Sequence, residues 1–433
     1  MPIMSMSTTA GIVLAVMVAT YAAAKLFKVS TELSLFAAAL TGSVAGGAGI
    51  PARHIVEGAF TYFDIILIFV TATVFMNLVK ESGGVAYIIR GIIRRFHNRK
   101  PVLFLLLTVL LLIPGGLTGA GSVTVLITGS MVGTVLGFMG LPKPKAAAIV
   151  FILAGLSAAA PPVNIWAMLT AAGVNMPYVG FFLPLLIPCL ILGLLTMFIV
   201  GWKARPVDVA SALKELPEVP TGLNGLRIAV PFLIFLFLVV AGRIWPFAFP
   251  ALGLPLMFVA AAAATVLVSP KKLAIIKIAK DTVRQLLPLM GTLTCVGILV
   301  QIMTLTGARG LVAITVVTLP LVVVIPTLAV TLPVSESVLL WGAAPVLGVP
   351  LVLLFNTLGY NPIIALAGMS VIWPLGDAIP PTAIIGRLTV DNLGMKEKYG
   401  QFLKACVIPA VLIIITGLLM ILYSKKLAFL TVF

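Results

Sequence analysis

Long apolar runs recur along this chain, and they admit few folds. Thr9–Phe27, Leu33–Ile50, Ala59–Val79, Phe181–Gly201, Arg227–Val240, Ala248–Val268, Leu286–Leu305 and Phe402–Tyr423 each read as one such run. A hydrocarbon core of about 30 Å is crossed by about 20 helical residues. The runs lack the strict alternation of a membrane barrel strand. Lipid offers backbone amides no outside partner, so the segments are expected to be helices. Charged residues make up 9% of the 433-residue chain, against roughly 25% in a soluble domain, so it cannot cover a water-facing surface. The first run has no basic leader and no A-x-A-like cleavage site, and we read it as a retained helix. The expected fold class is an all-α polytopic membrane protein.

The net charge of +16 suits cytoplasmic loops that set orientation, and no nucleic-acid partner is expected. Cys189, Cys295 and Cys406 lie at no metal-ligand or redox spacing, and His54 and His97 are far apart. No transition metal, no cofactor and no enzymatic activity are expected, since no nucleophile–base pair or phosphate loop is visible.

Two regions, Pro101–Asn175 and Leu311–Thr389, are apolar yet interrupted by Gly and Pro, and each contains a double proline. Pro161-Pro162 and Pro380-Pro381 each remove two amide donors and clash with the preceding turn, so no continuous helix passes through them. Pro114 precedes Pro161 by 47 residues and Pro333 precedes Pro380 by the same 47. Under that alignment Gly129 meets Gly348, Thr118 meets Ser337, Ile165 meets Ile384 and Thr170 meets Thr389, while Ser82-Gly83 parallels Thr306-Gly307. The chain therefore reads as two repeats, each a re-entrant helical hairpin followed by a proline-broken helix.

Charge sets their relative orientation. Arg90, Arg94, Arg95, Arg99 and Lys100 follow the first opening helix, where the second is followed by Arg309 alone. Ahead of the helices the bias reverses, with Arg53 before the first and Lys271, Lys272, Lys277, Lys280 and Arg284 before the second. Positive residues stay inside, so the repeats are expected to be inverted, with Arg94 cytoplasmic and Ala308 extracytoplasmic. Lys143, Lys145, the loop with Lys203, Arg205 and Lys214, and the Lys396–Lys404 stretch then also face the cytoplasm, and only Lys425 and Lys426 run against the rule. The expected divisions are N-terminal scaffold helices at 1–58 and a first repeat at 59–201 (hairpin 101–140, broken helix 145–178). A cytoplasmic loop at 202–226, linking scaffold helices at 227–284 and a second repeat at 285–425 (hairpin 311–358, broken helix 363–391) follow. Val85–Arg95 and Lys271–Arg284 are basic and amphipathic, as interfacial anchors or framing arms are.

Inverted repeats with discontinuous helices meeting near the midplane are the layout of many secondary transporters, where unwound carbonyls hold a cation. The first hairpin, PGGLTGAGSVTVLITG, offers Gly121 for close approach and Thr118, Ser122 and Thr124 as hydroxyls. Its break, GLSAAAPPVNIW, carries Ser157 and Asn164. Alternatively, the small residues serve only close helix packing. In the second half LPVSESVLLWG sets Glu336 between Ser335 and Ser337, and WPLGDAIPPTAIIGRL holds Asp377, Thr382 and Arg387. Buried carboxylates face a cavity or a partner, so Glu336 and Asp377 form either a cation or proton site or, for Asp377 with Arg387, a structural pair. Asp64 is the third acid within the spans. Arg387 contacts an anionic head group or snorkels towards the cytoplasm.

From Ser82-Gly83 through both hairpins and both double prolines, the chain resembles the large membrane subunit of TRAP transporters, within the ion transporter superfamily. The resemblance spans roughly Ala59–Tyr423. It implies an elevator-type transporter fold and sodium-coupled uptake of a small organic anion across a bacterial or archaeal cytoplasmic membrane. It also implies a small membrane subunit and an extracytoplasmic substrate-binding protein as partners. By position, Gly121 and Ser122 would help form a first sodium site, and Ser335 and Ser337 a second, with carbonyls beside Pro161 and Pro380. Thr118, Asn164, Thr382 and Arg387 are the candidate substrate contacts. Glu336 and Asp377 depart from the family pattern and leave Na+ or H+ open as the coupling ion. A stand-alone carrier, a sodium/proton antiporter and a channel are the alternatives.

Overall fold

The structure, a computed structural model, describes residues 3–432 other than Pro246, Ala248, Ala251, Lys396 and Glu397. Those residues contain no strand, and nine of their helices are long and apolar enough to cross a membrane. The chain is a multi-pass membrane protein. The expected span start at Ala248 and the cytoplasmic stretch beginning at Lys396 fall outside the described residues.

One order of elements occurs twice. An opening helix, Phe63–Glu81 or Ile275–Leu305, ends at a glycine of positive φ, Gly83 at 86° and Gly307 at 77°. Glycine takes that conformation without a Cβ penalty, which stops the helix and redirects the chain. A short helix follows, Gly84–Phe96 or Ala308–Thr318. The first of these buries Ile89, Ile92 and Ile93 and ends on Arg94 and Arg95, as an interfacial helix does.

Next comes a hairpin. Lys100–Thr118 turns at Gly119 and returns as Gly121–Phe138; Leu321–Leu339 turns at Leu340 and returns through Ala344–Thr357. Each returning arm holds a five-residue π-helical stretch, Val125–Gly129 and Ala344–Gly348, ending on the glycines that the proline spacing aligns. The broken helices are Lys143–Ala159 with Ile165–Gly173, and Pro362–Ile372 running into Trp373–Ala378, with Ile384–Asn392 beyond. Both Pro161–Pro162 and Pro380–Pro381 bonds are cis. Each half closes on a long helix, Phe182–Val200 or Tyr399–Leu422.

The helices sort into two groups. In one, Thr31–Ala45 packs on Ile3–Leu26 and Ile275–Leu305, while Leu254–Val268 packs on Phe63–Glu81 and Gly225–Ile244. Rings knit the latter three helices together, with Phe75 and Phe232 5.3 Å apart and Phe235 stacked on Phe258 at 4.5 Å. The other group centres on Lys143–Ala159, buried on every side from Ala146 to Ala159, as a helix apolar all round must be. The first hairpin, Phe182–Val200 and Tyr399–Leu422 surround it, and Phe151 meets Phe402 edge-on at 5.4 Å.

Several expected boundaries move. Ala59–Val79 is split between Ala52–Phe60 and Phe63–Glu81. The expected run Arg227–Val240 is the longer helix Gly225–Ile244, started by Asn224, whose side chain accepts from the Arg227 amide at 2.9 Å. The basic stretch Lys271–Arg284 is no separate interfacial helix, because Ile275–Leu305 is continuous over 31 residues. The second hairpin starts at Leu321 rather than near 311, because Leu319-Pro320 ends the Ala308–Thr318 helix.

The opening helices run antiparallel. Asn77 donates to Thr282 at 2.8 Å near one end, while Gln301 donates at 3.2 Å to Glu57, in the helix Ala52–Phe60 that leads into Phe63–Glu81, near the other. Between them the backbones touch at Gly58 and Gly297, where a Cβ on Gly297 would lie 2.2 Å from the Gly58 carbonyl oxygen. Gly297→Ala is therefore expected to destabilise the fold by about 1–3 kcal/mol through overpacking. Thermal unfolding of the purified variant in detergent checks this.

Candidate functional site

The two halves meet at a buried carboxylate. Glu336 lies in the last turn of Leu321–Leu339 and is 1% exposed. Its Oε2 accepts a hydrogen bond from the Trp166 indole N–H at 2.7 Å. Trp166 is fully buried in the first turn of Ile165–Gly173, just past the first double proline. Asp377 is 5% exposed in the 3-10 turn Trp373–Ala378, beside the second double proline. Gly376 lets these elements close together, since a Cβ there would stand 2.1 Å from the Pro333 carbonyl oxygen and 2.7 Å from Glu336 Cβ.

Each break is tied to its own hairpin in the same way. Val163, the residue after the first double proline, donates its amide to the Gly116 carbonyl at 3.0 Å. Thr382, after the second, donates its amide and its hydroxyl to the Ser337 carbonyl at 3.2 and 2.9 Å. These bonds satisfy backbone groups that a broken helix would leave bare in lipid. The Tyr399 hydroxyl adds a bond to the Ala378 carbonyl at 2.7 Å.

Between the hairpin turns and the breaks lies a small cavity of about 20 Å³. Gly121 and Ser122 of the first hairpin, Trp166, Glu336, Trp341 and Asp377 face it, with Leu289 of the second opening helix. Gly121 is pressed against its surroundings, since a Cβ there would sit 2.6 Å from both the Ala154 carbonyl oxygen and Ile385 Cδ1. Leu340 also lines the cavity, with φ 52 at the turn where the first hairpin has Gly119. A bulky residue in that region is strained, and such strain gathers at functional sites. No Lys, Arg or His lines the cavity among the described residues.

Other candidates fall elsewhere. The Ser335 and Ser337 hydroxyls donate back into their own helix, to Leu332 and Val334 at 2.8 Å each, and neither serine lines the cavity. Pro161 is buried, whereas Pro380 is exposed. Thr118 donates to the Pro114 carbonyl at 2.8 Å and accepts from the Ala120 amide at 3.3 Å, which shapes the hairpin turn. Asn164 is fully buried; its amide donates to Ala159 at 2.8 Å and its oxygen caps the next helix at the Ala167 amide, 2.9 Å. In the first half the Thr124 and Ser157 hydroxyls meet at 2.7 Å.

Arg387 and Asp64 are exposed. No ion pair joins Arg387 to Asp377 among the described residues, where the pair found is Arg53–Glu57 at 2.7 Å. The structural-pair alternative finds no support here, since Arg387 is exposed and does not line the cavity that Asp377 lines. No group of three or more His, Cys, Asp or Glu side chains suited to a metal occurs among the described residues.

Trp166 and Trp341 are the site residues that motif reading missed. Part of the signal was present: a buried indole N–H needs an acceptor, and Trp166 stands in largely apolar sequence.

No protein-family model matches the sequence, and no curated protein matches it at the sequence level. Solved structures do match the fold. The YdaH transporter of Alcanivorax borkumensis, described as having an unusual topology, aligns with a TM-score of 0.60 at 14% identity, over 86% of this chain and 87% of that one. MtrF of Neisseria gonorrhoeae, described as illuminating a class of antimetabolite efflux pumps, aligns with a TM-score of 0.61 at 11% identity, over 86% and 83%. The fold is that of membrane transporters, and these neighbours are transporters rather than enzymes.

Trp166→Phe keeps an aromatic ring near Glu336 but removes the donor and leaves a small void. It is expected to destabilise the protein by about 1–3 kcal/mol, the cost of stranding a buried acceptor. Unfolding of Trp166→Phe, Glu336→Gln and the double variant measures the coupling, which a bystander indole would not show.

Proposed function

We propose that the chain is a cation-coupled secondary transporter that takes its coupling ion, Na+ or H+, between Glu336 and Asp377. The observation that carries this reading is the shared cavity: two buried carboxyl groups face it and no basic side chain does. Charge buried in this way demands a counter-ion or a proton. A cation that enters from one side and leaves on the other can thereby drive the hairpins and breaks that hold it. Gly121 and Ser122 bring the first hairpin to the same cavity, so both halves would respond to one ion.

Inverted repeats and an elevator motion belong to this reading. The antiparallel opening helices support inversion, because the elements that follow them would otherwise start from the same side. Support for the elevator comes from the division into two helix groups, one able to stay fixed while the other carries the site. On this reading the substrate is a small organic anion and the protein sits in a bacterial or archaeal cytoplasmic membrane. Following the TRAP resemblance, a small membrane subunit and an extracytoplasmic binding protein would deliver that substrate. An acid-only cavity equally suits a stand-alone antiporter, in which the ion leaves as the substrate is exchanged, and the MtrF likeness in fold gives that second reading weight.

Two experiments test these points. In proteoliposomes, Glu336→Gln and Asp377→Asn should each cut gradient-driven flux at least about tenfold, a change worth ~1.4 kcal/mol. Flux that survives collapse of both the Na+ and H+ gradients would end the coupling claim. The direction of proton movement on substrate addition separates uptake from exchange. For topology, Ala308 is buried, so the nearby exposed Gly310 carries the label. In a chain without native cysteines, Arg94→Cys and Gly310→Cys should react with an impermeant maleimide from opposite sides. Labelling from one side would remove the inversion.

A further inference from the structure

Away from the carboxylate cavity, a recess of about 440 Å³ is lined by Lys80, Lys271, Lys272 and Lys277, with Glu81 and Asp281 as its only acids among the described residues. Four ammonium groups against two carboxylates leave it positive. It lies where the end of Phe63–Glu81 meets the start of Ile275–Leu305, beside the Asn77–Thr282 hydrogen bond. The recess is not isolated. It shares Asn77 and Gln285 with a second, mainly apolar space, which in turn shares Ser122, Leu289 and Ile384 with the carboxylate cavity.

Lys80 differs from the other three lysines. They are exposed, whereas Lys80 is half-buried and donates to the Leu126 carbonyl at 2.9 Å. Leu126 belongs to the π-helical stretch Val125–Gly129 of the first hairpin and lines the middle space. Lys80 thus holds the hairpin to the opening helix through one of its three donors. No carboxylate lies within 4.0 Å of its ammonium among the described residues.

We propose that this recess binds a carboxylate or phosphate group, and that the bound anion draws Lys80 away from the Leu126 carbonyl. The bond from the Lys80 ammonium to the Leu126 carbonyl is charged on the donor side alone, whereas an anion adds the attraction of opposite charge, so the exchange runs towards the anion. Filling the recess therefore loosens the tether between the first hairpin and the helix beside it. The group is carried either by a dissolved anion or by the head group of an anionic lipid, since both reach such a recess at a membrane surface. Lys271, Lys272 and Lys277 supply the attraction, and Lys80 is a positioning residue that reports occupancy to the hairpin.

The test uses the purified full-length chain in neutral detergent and follows its thermal unfolding. The probes are inorganic phosphate, succinate, and phosphatidylglycerol with phosphatidylcholine as its uncharged control, all against sodium chloride at matched ionic strength. Saturable shifts in Tm are expected with at least one anionic probe. Dissolved anions alone would identify a solute site, and phosphatidylglycerol alone a lipid site; either result supports the recess. The triple variant Lys271→Gln/Lys272→Gln/Lys277→Gln alters only exposed side chains and should lose the shift. Lys80→Gln should raise the half-saturating concentration at least about tenfold while Lys80→Arg retains it, as loss of a charge-assisted bond predicts. A change in basal Tm alone, with the probe response intact in Lys80→Gln, would reduce Lys80 to a structural role and overturn its part. No shift with any probe, or an equal shift in the triple variant, would overturn the site.

Discussion

The hydrogen bond from Trp166 to Glu336 is the contact on which the centre of this molecule depends. A carboxylate in a membrane interior is costly unless it has partners, and here its observed donor comes from the other half of the chain. The indole stands just past one double proline, and the acid stands just before the turn of the opposite hairpin. Any displacement of the second hairpin relative to the first break must stretch that bond. Under the proposed function, a cation in the cavity would thereby be linked to the relative position of the two halves.

Around this contact the structure solves the same backbone problem twice. A double proline removes two amide donors, and the residue after each one returns an amide to the hairpin, Val163 to Gly116 and Thr382 to Ser337. The solutions differ in burial. The first break is enclosed and stiffened by Asn164, whereas Pro380 and Pro381 of the second are exposed. The second break also carries Asp377, and its hairpin carries Glu336, so acidity and exposure fall in one half. The first half contributes an indole and small residues that permit close approach. The asymmetry suits an arrangement in which one half presents charge and the other shapes the space around it.

Much of this architecture was legible in the sequence, and the reasons are physical. Double prolines cannot lie within a helix, so the two breaks followed from Pro161-Pro162 and Pro380-Pro381 alone. Glu336 and Asp377 stood out because charge is rare in apolar runs, and the structure places both on one cavity. Their surroundings were not legible. Trp166 approaches Glu336 across 170 residues of sequence, a pairing that the local pattern does not encode. Ser335 and Ser337 flank Glu336 in sequence, yet a helix turns neighbours to different faces, and both hydroxyls bond back to their own helix. Lys80 reaches the Leu126 carbonyl across 46 residues of sequence, another pairing that the local pattern does not encode.

A cation held in the cavity between Glu336 and Asp377, as proposed, would be sensed by the two tryptophans that line it. Of the five tryptophans in the chain, Trp202 and Trp245 are exposed. Replacing those two with Phe leaves Trp166, Trp341 and the buried Trp373 as the source of emission. Fluorescence is then titrated with sodium chloride against choline chloride at fixed pH, and with pH at fixed ionic strength. The account predicts a saturable change in one of the two titrations, lost when Glu336→Gln and Asp377→Asn are introduced together. Emission that follows neither Na+ nor pH, or a response unchanged in the double variant, would contradict it.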